Sequence, residues 1–563
     1  MQLTVATTYL ARLAELGIES IFMNAGTDFA PIVEAYAVNK EEGGPTLPTP
    51  VLCAHENLAG GMAHGAALVS GRPQALMVHV SVGTANAACA VANASRDRVP
   101  LLVTAGRSPV LEAGATGARD LPIHWTQEMF DQAGLVRELV KWDYELRDAR
   151  QVEDVVDRAV SVAESHPRGP VYLSLPREVL AEPAAGFVAD RPRTAVPASV
   201  QPDPAAVAEL ADRIAAARFP VVVSTASGAE RGSAELLGEV CSRFGIGVAD
   251  SFSRFLTVSI DHPHHVGTDP GPVFAEADLI VFLECDVPWI EHYWTPRDET
   301  FIAQVAVDPI HGSIPMRSHR SDLNISATPV AFLTALRAQL ETRAVRDEAA
   351  RTTRIRDRAA ASRDAVDTLR TRALEESDQP ITKATISAVL GELLDDEDLV
   401  FNEYVGVPEL LHRTEPGTYF FLPSAGGLGW GLPAALGAKY AAPDRTVVAT
   451  LGDGAYLFAN PAACHHAAAK HDLPVLTVIA NNGGWWAVDA ATYSVYPNGT
   501  AMTSAEERFS DLSPSPDFAS YCTASGGHGV TVHHRRELRG ALEEAFRVVR
   551  DQGRQALVDV RCS

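Results

Sequence analysis

Residues 446–454 read TVVATLGDG, and residues 474–484 read PVLTVIANNGG. Each segment is a short apolar run that ends in glycine and a polar residue, the pattern of a buried strand followed by a tight turn. Asp453 and Asn482 are 482 − 453 = 29 residues apart, which suits one strand–helix–strand crossover. Parallel strands joined in this way end side by side at one edge of an open α/β sheet, where ligands bind.

The turn Gly452-Asp453-Gly454 is suited to an anion that is held through a cation. Its glycines let backbone N–H groups face an anion such as diphosphate, and the following helix would point its N-terminus at the same place. A carboxylate at Asp453 would repel that anion unless a cation lay between them, so the pattern predicts Mg²⁺ or Ca²⁺. The side-chain oxygen of Asn482 and the backbone carbonyl of Gly484 would add neutral oxygen ligands. In isolation, Gly-Asp-Gly is typical of an ordinary turn, and its spacing from Asn482 is what favours a metal site.

Apolar runs alternate with helical patterns along the whole chain. Strands separated by helices predict an α/β fold with parallel sheets that are covered on both faces. Besides the two quoted segments, the predicted strands are Ser20–Met23, Gln74–Val80, Val99–Thr104, Val171–Leu175, Pro220–Ser224, Leu279–Glu284, Phe301–Val307, Leu399–Asn402 and Ala556–Val560.

Changes in composition divide the chain into predicted domains. A proline-rich stretch with little periodicity separates residues 1–185 from residues 200–340 and indicates a linker. Residues 341–379 are rich in Arg, Asp, Glu and Ala, and we expect a solvated helical connector there, with a basic interaction surface as the alternative. Residues 380–563 form the last predicted α/β domain, which contains both quoted segments.

The bulk composition excludes several classes of protein. The 563 residues carry a formal charge of −24, which argues against nucleic acid as a partner because phosphate binding requires clustered Lys and Arg. No uncharged apolar run is long enough to cross a membrane, and the N-terminal stretch, with Arg12 and Glu15, does not fit a signal peptide. Seven scattered cysteines favour reduced thiols in a cytoplasmic protein.

A candidate catalytic acid lies near the N-terminus, in the segment VLCAHEN at residues 51–57. An apolar strand runs into Glu56, and a helix rich in small residues follows. A glutamate at a helix N-terminus usually stabilises the helix dipole. Because the same chain also carries the predicted metal segment, a catalytic role is the better interpretation of Glu56.

These motifs resemble those of thiamine-diphosphate-dependent enzymes. Gly-Asp-Gly, one crossover and then Asn-Asn is similar to the signature of that family, and residues 51–57 match its strand–Glu–helix pattern. Over nearly the whole chain the sequence looks most like the benzoylformate decarboxylase branch. The matching stretches are NAGT at 24–27, where the branch has NPGS, VHVSVGTANA at 78–87, and AGGLGWGLP at 425–433.

The resemblance implies three doubly wound parallel-sheet domains: a pyrimidine-binding domain, a central domain and a diphosphate-binding domain. Glu56 would hydrogen-bond the aminopyrimidine ring, and Leu428 would wedge between the two cofactor rings. The implied catalytic residues are Glu56, His79, His292 and Thr27, of which His292 requires a one-residue slip in the alignment. The implied cofactor-binding residues are Glu56, Asn86, Gly427, Leu428, Gly452, Asp453, Gly454, Ala455, Asn482 and Gly484, and the implied metal ligands are Asp453, Asn482 and Gly484.

The implied reaction is decarboxylation of a 2-oxo acid, with an aromatic one plausible, through an enamine that is protonated to an aldehyde or ligated to a second carbonyl compound. His79 favours proton delivery and hence aldehyde release. The alternatives are an acetolactate-synthase-like carboligase, a 2-hydroxyacyl lyase, and a non-catalytic cofactor-binding protein. The chain departs from the branch at Thr27, Trp485 and Trp486, and we expect these residues to determine substrate specificity. The acidic Asp28 is a further departure.

The resemblance also implies the partners of the chain. Active sites of this family lie across subunit interfaces, so a homodimer or homotetramer is expected, with thiamine diphosphate and Mg²⁺ (or Ca²⁺) as cofactors. FAD is not expected, because the end of the predicted strand at Glu284-Cys285-Asp286 offers no glycine-rich loop. Neither nucleic acid nor a membrane is expected as a partner.

Overall fold

A computed structural model describes residues 3–184, 187, 189–192, 195–375, 379–503 and 509–563. The predicted boundary at residue 185 and residues 376–378 of the predicted connector lie outside this described part. The chain divides into two compact units. The first comprises Met1–Pro197, Leu422–His533 and Gly540–Ser563, and the second comprises Ala198–Phe421 and His534–Arg539.

The N-terminal part of the first unit contains a six-stranded sheet. Its strand order is β2-β1-β3-β4-β6-β5, and all neighbouring strands are parallel. The strands are β1 Ser20–Met23, β2 Thr49–Leu52, β3 Gln74–Val78, β4 Leu101–Arg107, β5 Asp143–Glu145 and β6 Val171–Pro176. The helices are α1 Val5–Glu15, α2 Ala30–Glu42, α3 Glu56–Ser70, α4 Val80–Arg96, α5 Ile123–Thr126, α6 Val152–Glu164 and α7 Arg177–Ala181.

The second unit contains a sheet of the same size. Its order is β12-β11-β10-β7-β8-β9, again with parallel neighbours. The strands are β7 Pro220–Ser224, β8 Gly247–Asp250, β9 His265–Gly267, β10 Leu279–Leu283, β11 Phe301–Ala306 and β12 Leu323–Ser326. The helices are α8 Pro204–Ala216, α9 Ser233–Phe244, α10 Pro270–Glu276, α11 Pro329–Leu340 and α12 Glu348–Leu374.

The third six-stranded sheet has the order β14-β13-β15-β16-β18-β17. Its strands are β13 Leu399–Glu403, β14 Tyr419–Phe421, β15 Val447–Gly452, β16 Leu476–Asn481, β17 His528–Val532 and β18 Ala556–Arg561. The helices of this part of the chain are α13 Lys383–Leu393, α14 Pro408–Leu411, α15 Gly431–Ala441, α16 Asp453–Phe458, α17 Pro461–Lys470, α18 Trp486–Val495, α19 Thr500–Thr503, α20 Phe518–Ala524 and α21 Arg535–Gln552. The predicted α/β class with three parallel sheets is therefore confirmed.

Each sheet reverses the direction in which successive strands are added. In the first sheet the reversal lies between β1 and β3, and in the third it lies between β13 and β15. Loops at the carboxyl ends of strands next to such a reversal leave a crevice, and open α/β sheets bind ligands there. The turns after β1, β3 and β15 are therefore where the fold favours functional residues.

The segment predicted as a connector contains α12, which is anchored on one side. Arg351, Ile355 and Ala359 recur at helical spacing and are buried, although the segment as a whole is strongly polar. The Arg351 guanidinium donates to the carbonyl oxygens of Ile214 at 2.7 Å and Gly245 at 2.8 Å. Burial lowers the pKa of Arg351 to about 10. The helix is therefore more firmly fixed than a solvated connector would be.

Helices α3 and α15, both in the first unit, approach each other closely because of glycines. A Cβ added at Gly65 would lie 1.9 Å from the carbonyl oxygen of Ala434, and one at Gly437 would lie 1.9 Å from that of Met62. Only residues without a side chain allow two helix backbones to come this near. This contact connects the helix that begins at Glu56 with the helix that precedes β15.

Within the described residues, no helix is both long and apolar enough to cross a bilayer.

Candidate cofactor and active site

The predicted metal segment lies at the carboxyl ends of two neighbouring parallel strands. β15 ends at Gly452 and β16 at Asn481, with Gly452 in register with Ala480. Asp453 therefore opens α16 directly beside the loop that carries Asn482 and Gly484. The side chain of Asp453 is buried, whereas Asn482 is exposed.

The Asn482 side chain lies close to oxygen atoms of both Gly484 and Asp453. One terminal atom of the Asn482 amide lies 3.0 Å from the carbonyl oxygen of Gly484 and 3.2 Å from Oδ1 of Asp453. An amide nitrogen at this position would donate to both oxygens, whereas an amide oxygen there would need a cation between it and its neighbours. The donor set of one carboxylate and two neutral oxygens fits a divalent cation.

The carboxylate of Asp453 has the environment of a metal ligand. Its Oδ2 is buried and makes no hydrogen bond among the described residues. Burial raises the pKa of the Asp453 carboxyl, and backbone N–H groups of Gly454 and Gly483 act in the opposite direction. A buried anion with an unsatisfied oxygen is costly unless a cation compensates it. No cluster of three or more His, Cys, Asp or Glu suited to a metal occurs in the described ranges, so a site here depends on mixed oxygen ligands.

The loop is held in place by residues that the sequence did not reveal. Asn481 donates to Oδ1 of the buried Asp559 at 2.9 Å and to Oγ of Ser515 at 3.1 Å. Its own Oδ1 accepts a hydrogen bond from the backbone N–H of Gly483 at 3.2 Å. Gly483 has φ +71°, which favours glycine. The first asparagine of the pair thus supports the loop, and the second lies beside Asp453.

Trp485 covers the Gly-Asp-Gly turn. A Cβ added at Gly454 would lie 2.2 Å from the Trp485 ring, and that ring also meets Phe458 edge-on with centroids 5.5 Å apart. Trp486, by contrast, is exposed. Of the two tryptophans expected to choose the substrate, Trp485 is packed on the metal segment and Trp486 is accessible.

Glu56 stands at the start of α3, after β2. His55 caps this helix by accepting a hydrogen bond from the backbone N–H of Asn57 at 3.1 Å. The Glu56 carboxyl is buried, and its Oε2 accepts a hydrogen bond from Nδ2 of Asn86 at 3.1 Å. The structure thus brings together two residues that the sequence predicted as cofactor-binding.

His79 directly follows β3 and pairs with Asp28, which lies in a short 3₁₀ turn after β1. Its Nδ1 is 2.5 Å from Oδ1 of Asp28, and its Nε2 is 3.5 Å from Nε2 of Gln127. The Asp28 hydrogen bond raises the pKa of His79, partial burial opposes it, and the charges of Asp28 and Glu56 add to the rise. The sequence predicted His79 but treated Asp28 only as a departure from the family pattern.

The other predicted residues lie as follows. Thr27 is exposed and begins the short 3₁₀ turn that carries Asp28. Gly427 exchanges two hydrogen bonds with the Asn93 side chain, at 2.8 and 3.1 Å, so Leu428 follows a loop that is fixed against α4. His292 lies in an exposed turn of the second unit, where its ring contacts Tyr293. Its catalytic role stays a prediction.

Comparisons with known proteins agree with this geometry. Residues 3–135 match the model of the thiamine pyrophosphate enzyme N-terminal TPP binding domain, and residues 405–560 match that of the C-terminal TPP binding domain. The chain is similar to benzoylformate decarboxylase from Pseudomonas aeruginosa, with 30% identity over 96% of each chain. It is also similar to a probable 2-ketoarginine decarboxylase from the same organism, with 27% identity over 99% of this chain and 94% of the relative.

Solved structures show the same fold. A 4-hydroxybenzoylformate decarboxylase from Rhodococcus jostii superposes with a TM-score of 0.78 at 22% identity, over 100% of this chain and 99% of the other. Benzoylformate decarboxylase from Polynucleobacter necessarius gives 0.81 at 21% identity, over 100% and 98%. The chain belongs to the thiamine pyrophosphate enzyme family. It is a thiamine-diphosphate-dependent enzyme with decarboxylase or carboligase activity, as the sequence predicted.

Proposed function

We propose that this enzyme decarboxylates a 2-oxo acid with an aromatic side chain and releases the aldehyde. The observation that carries the proposal is the imidazole of His79, which Asp28 holds at the carboxyl edge of the first sheet and which the charge of Glu56 influences. A proton donor at this place favours protonation of the reacting carbon over attack on a second carbonyl compound. The similar proteins named benzoylformate decarboxylase and 2-ketoarginine decarboxylase support the reaction type.

The chain's own residues then have separate tasks. Bound thiamine diphosphate supplies the carbon nucleophile and the electron sink for loss of CO₂. Asn86 holds Oε2 of Glu56, so Oε1 would be the oxygen available to the pyrimidine ring of the cofactor. His79 presents Nε2 as the atom that moves a proton to the product, because Nδ1 is occupied by Asp28.

Asp453, Asn482 and Gly484 would hold Mg²⁺ together with the diphosphate. A set of one carboxylate and two neutral oxygens suits a hard divalent cation such as Mg²⁺ or Ca²⁺. FAD has no part in this proposal.

We further propose a homodimer, or a tetramer made of two such dimers, in which Glu56 of one subunit faces the metal segment of the other. Within one chain, Glu56 is hydrogen-bonded to Asn86 at the first sheet, whereas Asp453 lies beside Asn482 at the third. A cytoplasmic location is supported by the cysteines, five of which are buried thiols.

An acetolactate-synthase-like ligase is the second candidate. The chain is 25% identical to a putative acetolactate synthase large subunit from Mycobacterium tuberculosis over 88% of both chains. The two candidates differ in product, because the decarboxylase releases an aldehyde and the ligase joins the same fragment to an acceptor.

The test is incubation of the purified protein with thiamine diphosphate, Mg²⁺ and a panel containing benzoylformate, pyruvate and branched 2-oxo acids. CO₂ and the organic product are measured together. We expect an aldehyde from the aromatic substrate, and a loss of turnover of about 100-fold or more in Glu56→Gln. The control is Glu19→Gln, which removes an exposed carboxylate paired with Arg72. Full turnover in Glu56→Gln, or absence of CO₂ from every substrate, would contradict the proposal.

A further inference from the structure

The Asp28 carboxylate binds two groups at the junction of β3 and α4. Oδ1 lies 2.5 Å from Nδ1 of His79, and Oδ2 accepts a hydrogen bond from the backbone N–H of Val80 at 3.3 Å. One carboxylate thus fixes both the ring and the main chain that carries it. These residues lie at the strand-order reversal of the first sheet, where ligands are expected.

The backbone at this junction is strained. Val80 has φ 31°, a conformation that β-branched residues rarely adopt. Such strain costs about 1–3 kcal/mol and persists where surrounding contacts over-determine it, most often at functional sites. The hydrogen bond from Val80 to Asp28 is one of those contacts.

Two glycines make room for the pair. A Cβ at Gly106 would lie 1.7 Å from Oδ2 of Asp28, and one at Gly26 would lie 2.2 Å from Nδ1 of His79. Asp28 is 4% exposed, so its carboxylate has little water to stabilise it and depends on the imidazole. The side chain of His79 keeps 15% exposure, so part of it remains accessible.

We propose that Asp28 is a positioning residue that holds the His79 ring with Nδ1–H directed at its carboxylate and Nε2 directed at the substrate. A carboxylate at Nδ1 fixes the tautomer of the neutral ring and stabilises the imidazolium form. The pairing of Asp28 with Nδ1 does not depend on the proposed decarboxylase function. Only the role of Nε2 as the proton donor rests on it.

The charges around His79 determine how the pair responds to pH. Asp28 and Glu56 both favour the imidazolium, the polar Gln127 lies at Nε2, and His124 is a further titratable group close enough to interact. The raised pKa of His79 keeps the ring protonated to higher pH than an ordinary histidine. Without the Asp28 charge, the proton would be lost at lower pH.

The first experiment measures the ring directly and requires no turnover. Protein labelled with ¹⁵N and ¹³C in histidine is titrated by NMR, and the His79 signals are assigned from their loss in His79→Gln. In the wild type we expect Nδ1 to carry the proton in the neutral form. In Asp28→Asn we expect the titration to move to lower pH. An unchanged titration in Asp28→Asn, or a neutral wild-type ring protonated at Nε2, would overturn the proposal whatever reaction the enzyme performs.

The second experiment follows the pH dependence of kcat for the substrate found in the panel. In Asp28→Asn the alkaline limb should move to lower pH, and kcat should fall about tenfold or more on the alkaline side while KM changes less. Asp261→Asn is the control, because it removes a carboxylate 3.1 Å from Nε2 of His412 in the second unit and should leave the profile unchanged.

The outcomes separate this proposal from the proposed function. A shifted NMR titration supports the pairing even if no 2-oxo acid is turned over, and in that case the proposed function fails. Turnover of 2-oxo acids with an unshifted pH profile in Asp28→Asn overturns the role of Asp28 and leaves the decarboxylase intact. If Asp28→Asn does not fold, the wild-type tautomer alone decides the question.

Discussion

At the residue scale, Asp453 is a buried carboxylate whose Oδ2 has no hydrogen-bond partner among the described residues. We expect Asp453→Asn to weaken Mg²⁺ binding by about 100-fold, because it removes the one charged ligand of the predicted site. Isothermal titration with Mg²⁺ at saturating thiamine diphosphate would measure this. Asp444→Asn, an exposed position before the amino end of β15, is the control. Equal affinities in the two variants would contradict the metal assignment.

Some of the candidate site residues could be identified from the sequence, and others could not. Asp453 and Glu56 were predictable because each follows an apolar strand and precedes a helix, so its position at the sheet edge is a local property. Asp28 was not recognised as a site residue, because its partner His79 lies 51 positions away and the two meet only because β1 and β3 are neighbours. An acidic residue immediately after a strand-end turn was the available signal.

At the scale of elements, the approach of α3 to α15 depends on glycine. We expect Gly65→Ala to destabilise the protein by about 1–3 kcal/mol, because its Cβ would overlap the carbonyl oxygen of Ala434. Gly540→Ala is a matched control within α21, where nothing lies within 4 Å of the added Cβ. It should be neutral or stabilise by up to about 1 kcal/mol. Thermal unfolding measures both, and equal midpoints would show that the helices can move apart at no cost.

The longer central strands were predictable from their apolar runs, and the short ones were not. Among the strands absent from the prediction are β5, β9 and β14, each of three residues. Such short strands receive their hydrogen bonds from a neighbouring strand and carry too few residues to show a pattern of their own. Gln74–Val80 was predicted two residues too long, because His79 is the N-cap residue of α4 and Val80 already belongs to that helix. Buried Arg351 was also unpredictable, since backbone carbonyls from distant segments compensate its charge.

At the scale of the whole molecule, the two predicted halves of the site lie at the edges of different sheets. Glu56 and His79 follow strands of the first sheet, whereas Asp453 and Asn482 follow strands of the third. Both groups belong to the first compact unit of the chain. A cofactor with a pyrimidine ring at one end and a diphosphate at the other would have to contact both groups, either within one chain or between two.

A mixture of two inactive variants can distinguish these arrangements. Glu56→Gln lacks the acid, and Asp453→Asn lacks the metal ligand, so we expect each to be inactive alone. If Glu56 of one subunit serves the metal segment of the other, a mixed dimer contains one intact site and one site that carries both changes. Random co-assembly in a co-expressed mixture would then restore about a quarter of the wild-type activity, because half of the dimers are mixed and each has one working site of two. The control is Glu56→Gln co-expressed with the double variant, which provides no intact acid. Sites formed within one chain would give no recovery in either mixture, and that result would contradict the proposed interface.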